Sequence, residues 1–366
     1  MKIWHIAALL VAGVIVGILL PGRLTAVFGT ATLYVFLPAL IFEAAWHLDL
    51  HVMREHWKPI LLLAIPGVAL TAAIIAGGAH LAGMQWGPAL LLGAILSATD
   101  PIAVIAIFRR LNVPKSLATI IESESLLNDA IAVVLYRAAL AVLVAGASTR
   151  GLGGATLHAI VGVAIGIAIG LALAYLAAFA LREAVSMPAQ SAATLAGAYG
   201  AFALADSRGW SGIFAVIAFG IALREFERHR LSVASAQGVE VFWDRAAMLA
   251  NFALFFLVGA ALDLTRLRYT VTLDVAAVAS VILARTLLAY GLLRLARLHL
   301  RPFWMTVVRM AGIRGALALA LAIATPGAVA QRGSVINATF TVVVATILVG
   351  ALTLRSRLER LPLNDG

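Results

Sequence analysis

The sequence predicts an all-α polytopic membrane protein of about twelve transmembrane helices. Three observations carry this. The 366 residues are 63% hydrophobic and only 12% charged, with a mean hydropathy of +1.03, a balance soluble domains do not keep. Apolar runs long enough to cross a bilayer recur from end to end. The basic residues fall mostly between those runs, without a patch of interleaved aromatics, so the net charge of +10 does not point to nucleic acid. Cysteine is absent, which removes disulfides and thiolate metal sites.

The first run, 3–20, is longer than the apolar core of a signal peptide and lacks a small-residue cleavage site, so it reads as a span. The others are 26–46, 57–83, 87–109, 115–145, 152–181, 187–206, 211–224, 238–262, 270–295, 303–325 and 333–354. Placing the N-terminus in the cytoplasm puts sixteen Lys and Arg in the inside segments, Arg109, Arg110 and Arg294 among them. Six fall outside: Arg23, Arg150, Arg208, Arg266, Arg268 and Arg332. The excess predicts both termini inside. The tail after Leu354 is short, and the reading is of a single transmembrane unit, 1–366, with no soluble domain following.

Two spans are interrupted alike. The fourth carries Thr99-Asp100-Pro101 near its middle; Pro101 lacks an amide hydrogen and disfavours helix at Asp100. The eleventh carries Gly312-Ile313-Arg314-Gly315, where the glycines weaken the helix. Matched breaks in two halves predict two inverted repeats, spans three to five and ten to twelve, with the broken helices crossing at a binding site. Free main-chain groups at that depth are tolerated only where they line a site or are buried in protein.

The fifth span holds most of the chemistry. Residues 121–136 place Glu122, Glu124 and Asp129 in an otherwise apolar helix, where each acid costs about 2.5–3.5 kcal/mol on insertion scales. Ser125 and Asp129 share a face at i,i+4, and Glu124 and Asn128 form a second such pair beside it. Carboxylates, a hydroxyl and an amide within about two turns suit a hard cation. The bland alternative is a polar helix end. Two arginines, Arg285 and Arg314, also lie inside apolar runs and need counter-charges. The expected pairs are Arg285 with Glu124 and Arg314 with Asp100, which leaves Asp129 without a fixed cation. A carboxylate in that position cannot hold a proton and a cation together, so alternating access to it produces exchange. One titrating acid beside the neutral Asn128 amide implies no net charge movement. Glu43, Asp206, Asp244, Arg245, Arg137 and Arg309 read as interfacial or structural, and His5, His80 and His158 carry no ligand spacing. No Ser-His-Asp set, phosphate-binding glycine loop or zinc motif is present, so an enzyme is not expected.

These residues resemble the monovalent cation:proton antiporter superfamily in its NhaP-like, sodium/proton exchanger branch. The matches are Phe36-Leu-Pro-Ala-Leu-Ile-Phe-Glu43, Thr99-Asp-Pro101, Glu122-Ser-Glu-Ser-Leu-Leu-Asn-Asp129, Ser211-Gly-Ile-Phe-Ala-Val216, Phe255-Phe-Leu-Val-Gly259 and Gly312-Ile-Arg-Gly315. They run in the family's order over nearly the whole chain. Ser123 stands where members often have Gly, and the chain begins near the second helix of longer members.

The resemblance implies the NhaA/NhaP-like fold with crossed broken helices, and a homodimer. A core, roughly 57–145 and 270–354, would move like an elevator against a dimerisation scaffold, roughly 1–56 and 146–269. Asp129 would bind Na⁺ or a proton, with Ser125, Glu124 and the Thr99 main chain contributing. Asn128 would mark the electroneutral branch, Arg285 would pair with Glu124, and Arg314 would neutralise the crossing near Asp100 and Pro101. The expected activity is electroneutral exchange of Na⁺ or Li⁺ for H⁺ in a prokaryotic inner membrane. No cofactor is expected, and the partners are lipid, the transported ions and a second copy. K⁺/H⁺ exchange, a sodium-coupled symporter of an organic anion and a channel are the alternatives. The symporter would need basic or amide groups lining a cavity beside the cation site.

Overall fold

The computed structural model describes residues 3–20, 31–101, 104–105, 108, 115–145, 149–181, 186–227, 233–262, 264–293 and 302–358, and among these every regular element is helical. Among the described residues six helices are long and apolar enough to cross a membrane: Trp57–Leu81, Ser116–Leu143, Leu157–Phe179, Gln237–Ala261, Thr270–Leu292 and Arg332–Val349. Side chains such as Leu157, Tyr175 and Val275 stay more than half exposed. Apolar surface facing outward is what a bilayer accepts and water does not.

The chain forms two compact units. One is Met1–Thr30, His51–Gly146 and Leu254–Gly366; the other is Ala31–Leu50 and Ala147–Ala253. The stretches 57–145 and 270–354 fall wholly within the first, which also takes in residues 1–30 and 254–269.

In the second unit, α2 (Ala31–His47) packs with α9 (Met187–Asp206) and α10 (Gly212–Glu227), and α10 packs along α8 (Thr149–Ala180). Its centre is aromatic. The Phe42 ring lies 4.3 Å from that of Trp243 and 5.6 Å from those of Trp46 and Phe219. Buried Trp243 donates its indole N–H to Thr194 Oγ1 at 3.0 Å, as a buried indole requires.

The first unit begins with α1 (Ile3–Leu19) and the short α3 (Leu50–Glu55). A Cβ at Gly13 or Gly17 would overlap main-chain atoms of Phe256, Gly259 or Ala260. Two glycines four apart thus bring α1 against the end of α11 (Val233–Ala261). The third sequence span, 57–83, is two segments, α4 (Trp57–Ala64) and α5 (Pro66–Leu81). Pro66 removes the amide that would have continued the ladder, a break the expected continuous span did not include.

The fourth span is broken as expected. Helix α6 (Trp86–Ser97) ends at Ala98, whose backbone is extended (φ −61°, ψ 143°); much of the span beyond Pro101 lies outside the described residues. Helix α7 (Lys115–Ala145) matches the fifth span. The tenth span is α12 (Leu264–Thr286), closed by a π-helical turn at Leu287–Leu292 that the sequence did not signal. The eleventh is α13 (Pro302–Met310), an irregular stretch at 311–315, and α14 (Ala316–Ala324). Helix α15 (Arg332–Leu358) follows. Helix α6 is flanked by α5, α7, α14 and α15, so the first break sits among helices, not on the surface.

Candidate functional site

The two breaks meet. The Asp100 amide donates to the Ile313 carbonyl at 2.8 Å, so one interrupted segment satisfies a main-chain group of the other. Each break also leaves a half-helix end carrying partial charge. Fully buried Arg314 answers the carbonyl end of α6, its Nε donating to Leu96 O at 2.6 Å and its Nη1 to Gly312 O at 3.0 Å. Asp100 lies against Gly315, the residue that starts α14, at the amide end of that half-helix. These two guanidinium bonds go to carbonyls, and the two opposite charges sit on opposite kinds of helix end. At the far end of α14, Arg332 donates to the carbonyls of Thr325 (2.5 Å) and Ile323 (2.9 Å).

Both glycines of the second break are required by close approach. A Cβ at Gly315 would overlap the Asp100 carboxylate, and one at Gly312 would overlap the Arg285 side chain. Their sequence reading as helix weakeners misses this reason.

Helix α7 brings the polar cluster to the first break. Asn128 uses its amide fully: Nδ2 donates to Thr99 Oγ1 at 2.6 Å and to Glu124 Oε1 at 2.9 Å, and Oδ1 accepts from the Thr99 amide at 3.2 Å. Ser125 Oγ donates to the Thr99 carbonyl. Glu124 is paired with Arg285, Nη1 to Oε1 at 3.1 Å and Nη2 to Oε2 at 3.5 Å, with both residues buried. A narrow cleft beside them is lined by Thr71, Ser97, Thr99, Glu124, Asn128 and Arg285, among others.

Asp129 differs from the other acids. As a residue it is half-buried, yet its Oδ1 is shielded from solvent and has no hydrogen-bond partner. No ion pair to it occurs among the described residues. The arrangement brings together Thr99, Asp100, Pro101, Glu124, Ser125, Asn128, Arg285 and Arg314 around the crossing, with Asp129 the next residue after Asn128 on α7. Ser123 Oγ is also buried without a partner.

Two features escaped the sequence reading. Asp274, inside the tenth span, is buried and accepts from Thr270 Oγ1 at 3.0 Å; an acid in an apolar run was the available signal. In the second unit Glu43, His47 and Asp244 converge, with His47 Nε2 3.4 Å from Asp244 Oδ1 and 3.5 Å from Glu240 Oε1. Two i,i+4 pairs on separate helices make this cluster, and helical spacing alone does not show that they face each other.

The family model described as "Sodium/hydrogen exchanger, transmembrane" matches residues 1–360. The chain is similar to the low-affinity Na⁺/H⁺ antiporter NhaS1 of Synechocystis sp., 34% identical over 340 residues that cover 90% of this chain and 64% of the relative. It is also similar to the Na⁺/H⁺ antiporter NhaH of Halobacillus dabanensis, 30% identical over 92% of this chain and 84% of the relative. The chain thus spans less than two thirds of the length of the first of these relatives. The structure of the sodium proton antiporter MjNhaP1 from Methanocaldococcus jannaschii superposes with a TM-score of 0.85 at 21% identity, covering 98% of this chain and 92% of that one. At that identity the likeness establishes the fold.

Proposed function

The chain belongs to the sodium/hydrogen exchanger family, and we propose that it exchanges one Na⁺ or Li⁺ for one H⁺ by alternating access at Asp129. The observation that carries this reading is the contrast among the acids. Glu124 is matched by Arg285, and Asp100 lies at the amide end of α14. Asp129 Oδ1 has no hydrogen-bond partner, and no ion pair to Asp129 occurs among the described residues. A shielded carboxylate oxygen left without a partner is unfavourable until a proton or a cation arrives.

Proton and cation then compete for the same oxygen, and that competition couples their fluxes. Ser125 and the Thr99 main chain supply neighbouring oxygens for the cation, and Asn128 holds Thr99 in place while adding no charge. With one titrating acid per site, a proton replaces a monovalent cation and no net charge crosses. The half-helix ends matched by Arg314 and Asp100 keep the crossing intact while the site changes sides.

In this reading 57–145 and 270–354 form the moving part, and 1–56 and 146–269 form the scaffold of a homodimer. The protein lies in a prokaryotic plasma membrane with both termini cytoplasmic, and protons enter as sodium leaves.

The test is exchange in proteoliposomes with an imposed pH gradient, comparing Na⁺, Li⁺ and K⁺. Wild-type chain should dissipate the gradient with Na⁺ and Li⁺ and be insensitive to a clamped voltage. Asp129→Asn should be silent while eluting and melting as wild type does. Exchange at wild-type rate in that variant would remove Asp129 from the mechanism, and K⁺ as the preferred ion would change the substrate.

A further inference from the structure

Arg285 lines two cavities: the cleft it shares with Glu124 and Asn128, and a second of about 270 Å³ between α12, the 311–315 break and α15. The second is mostly apolar, with Val281, Ile282, Ile313 and Val349 among its walls. Among the described residues its charged groups are two guanidiniums, Arg285 and Arg309, and no carboxylate lines it. Each arginine has an Nε that is shielded from solvent and without a hydrogen-bond partner. Unpaired polar groups in such surroundings are costly, and an acceptor brought in from outside relieves that cost. Ile282 and Val349 are each 56% exposed, so the cavity opens through apolar residues of the kind that face lipid.

We propose that this cavity binds a medium-chain fatty acid anion, its chain against the aliphatic wall and its carboxylate against Arg309 and Arg285. Charge selects an anion, because the cavity offers donors carrying positive charge and, among the described residues, no opposing acid. The lining selects an apolar tail. The volume selects a single short chain: it falls below the roughly 300–1,000 Å³ of sites that enclose drug-sized ligands, too small for a whole two-chain phospholipid. The route is through the bilayer, where fatty acids partition. This is an anion site beside the cation site and separate from it, joined to it through the one guanidinium that also holds Glu124.

The test uses the full chain in neutral phosphatidylcholine liposomes and a photoreactive decanoate carrying a diazirine, with labelled peptides mapped by mass spectrometry. Labelling should be saturable and confined to stretches 278–286, 309–313 and 345–349. Decanoate should displace it, whereas decanol, which keeps the chain but lacks the charge, and acetate, which keeps the charge but lacks the chain, should not. Arg309→Gln should weaken displacement by about tenfold, the loss of one charge-assisted contact, and Val281→Trp should block labelling by filling the cavity. Displacement by decanol as effective as by decanoate, or label elsewhere on the chain, overturns the proposal. The competition on the unaltered chain decides even if a variant fails to fold. It reads binding alone, so its outcome is independent of whether the chain exchanges Na⁺.

Discussion

Arg285 Nη1 stands 3.1 Å from Glu124 Oε1, joining α12 to α7 across 161 positions of sequence. Both residues are buried, so the pair acts as a strut between the N-terminal and C-terminal parts of the first unit. Removing either partner strands the other as an uncompensated charge. Glu124→Gln or Arg285→Met alone should each cost about 3–5 kcal/mol. The double variant should recover most of that loss, because a neutral pair needs no counter-charge. Thermal melting of the four proteins in detergent checks this; additive losses would mean that the two side chains do not act together.

Gly315 has room for the Asp100 carboxylate only because it lacks a Cβ. Gly315→Ala should destabilise by about 1–3 kcal/mol, as overpacking does. Asp100→Gly in the same chain should relieve the clash and restore part of the melting temperature. Gly312→Ala should also destabilise, since its Cβ would meet the Arg285 stem that Glu124 holds in place.

Asn128→Asp removes the donor that serves both Thr99 Oγ1 and Glu124 Oε1. Thr99 Oγ1 loses that donor, at a cost of about 1–3 kcal/mol, while Glu124 Oε1 keeps only Arg285 Nη1 and faces a second carboxylate. The variant should melt lower than wild type. If it remains active, its exchange should become sensitive to a clamped membrane voltage, because an added titrating acid changes the charge carried per cycle.

Glycines in membrane helices do not all matter equally. At Gly13 a Cβ would meet main-chain atoms of α11, whereas at Gly77 nothing lies within 4 Å. Gly13→Ala should therefore cost about 1–3 kcal/mol, since backbone cannot step aside. Gly77→Ala should be neutral or gain up to about 1 kcal/mol from helix propensity. Melting both variants side by side in one detergent is sufficient.

Much of this architecture was legible because its signals are local. Length and apolarity mark the helices; Pro101 and the Gly312/Gly315 pair mark the breaks. The carboxylates at 122, 124 and 129 announce themselves by their cost in an apolar run. The Arg285–Glu124 pair was legible for the same reason, as buried opposite charges seek each other. Pro66 was a visible breaker, but its interruption leaves two apolar segments in series, and hydropathy averages across it. The π turn at 287–292 has no comparable mark.

By itself the sequence determined an all-helical membrane chain, two interrupted helices and a short list of polar groups that apolar surroundings must justify. Only the tertiary structure decided where each charge sits: Arg314 on the carbonyls of Leu96 and Gly312, Asp100 at the start of α14, and Asp129 with its Oδ1 left without a hydrogen-bond partner. The reason is range. Helix formation and its interruption depend on neighbours a few residues away. Neutralising a buried charge depends on which distant segments come within about 3 Å, and the number of such pairings that satisfy charge balance exceeds one.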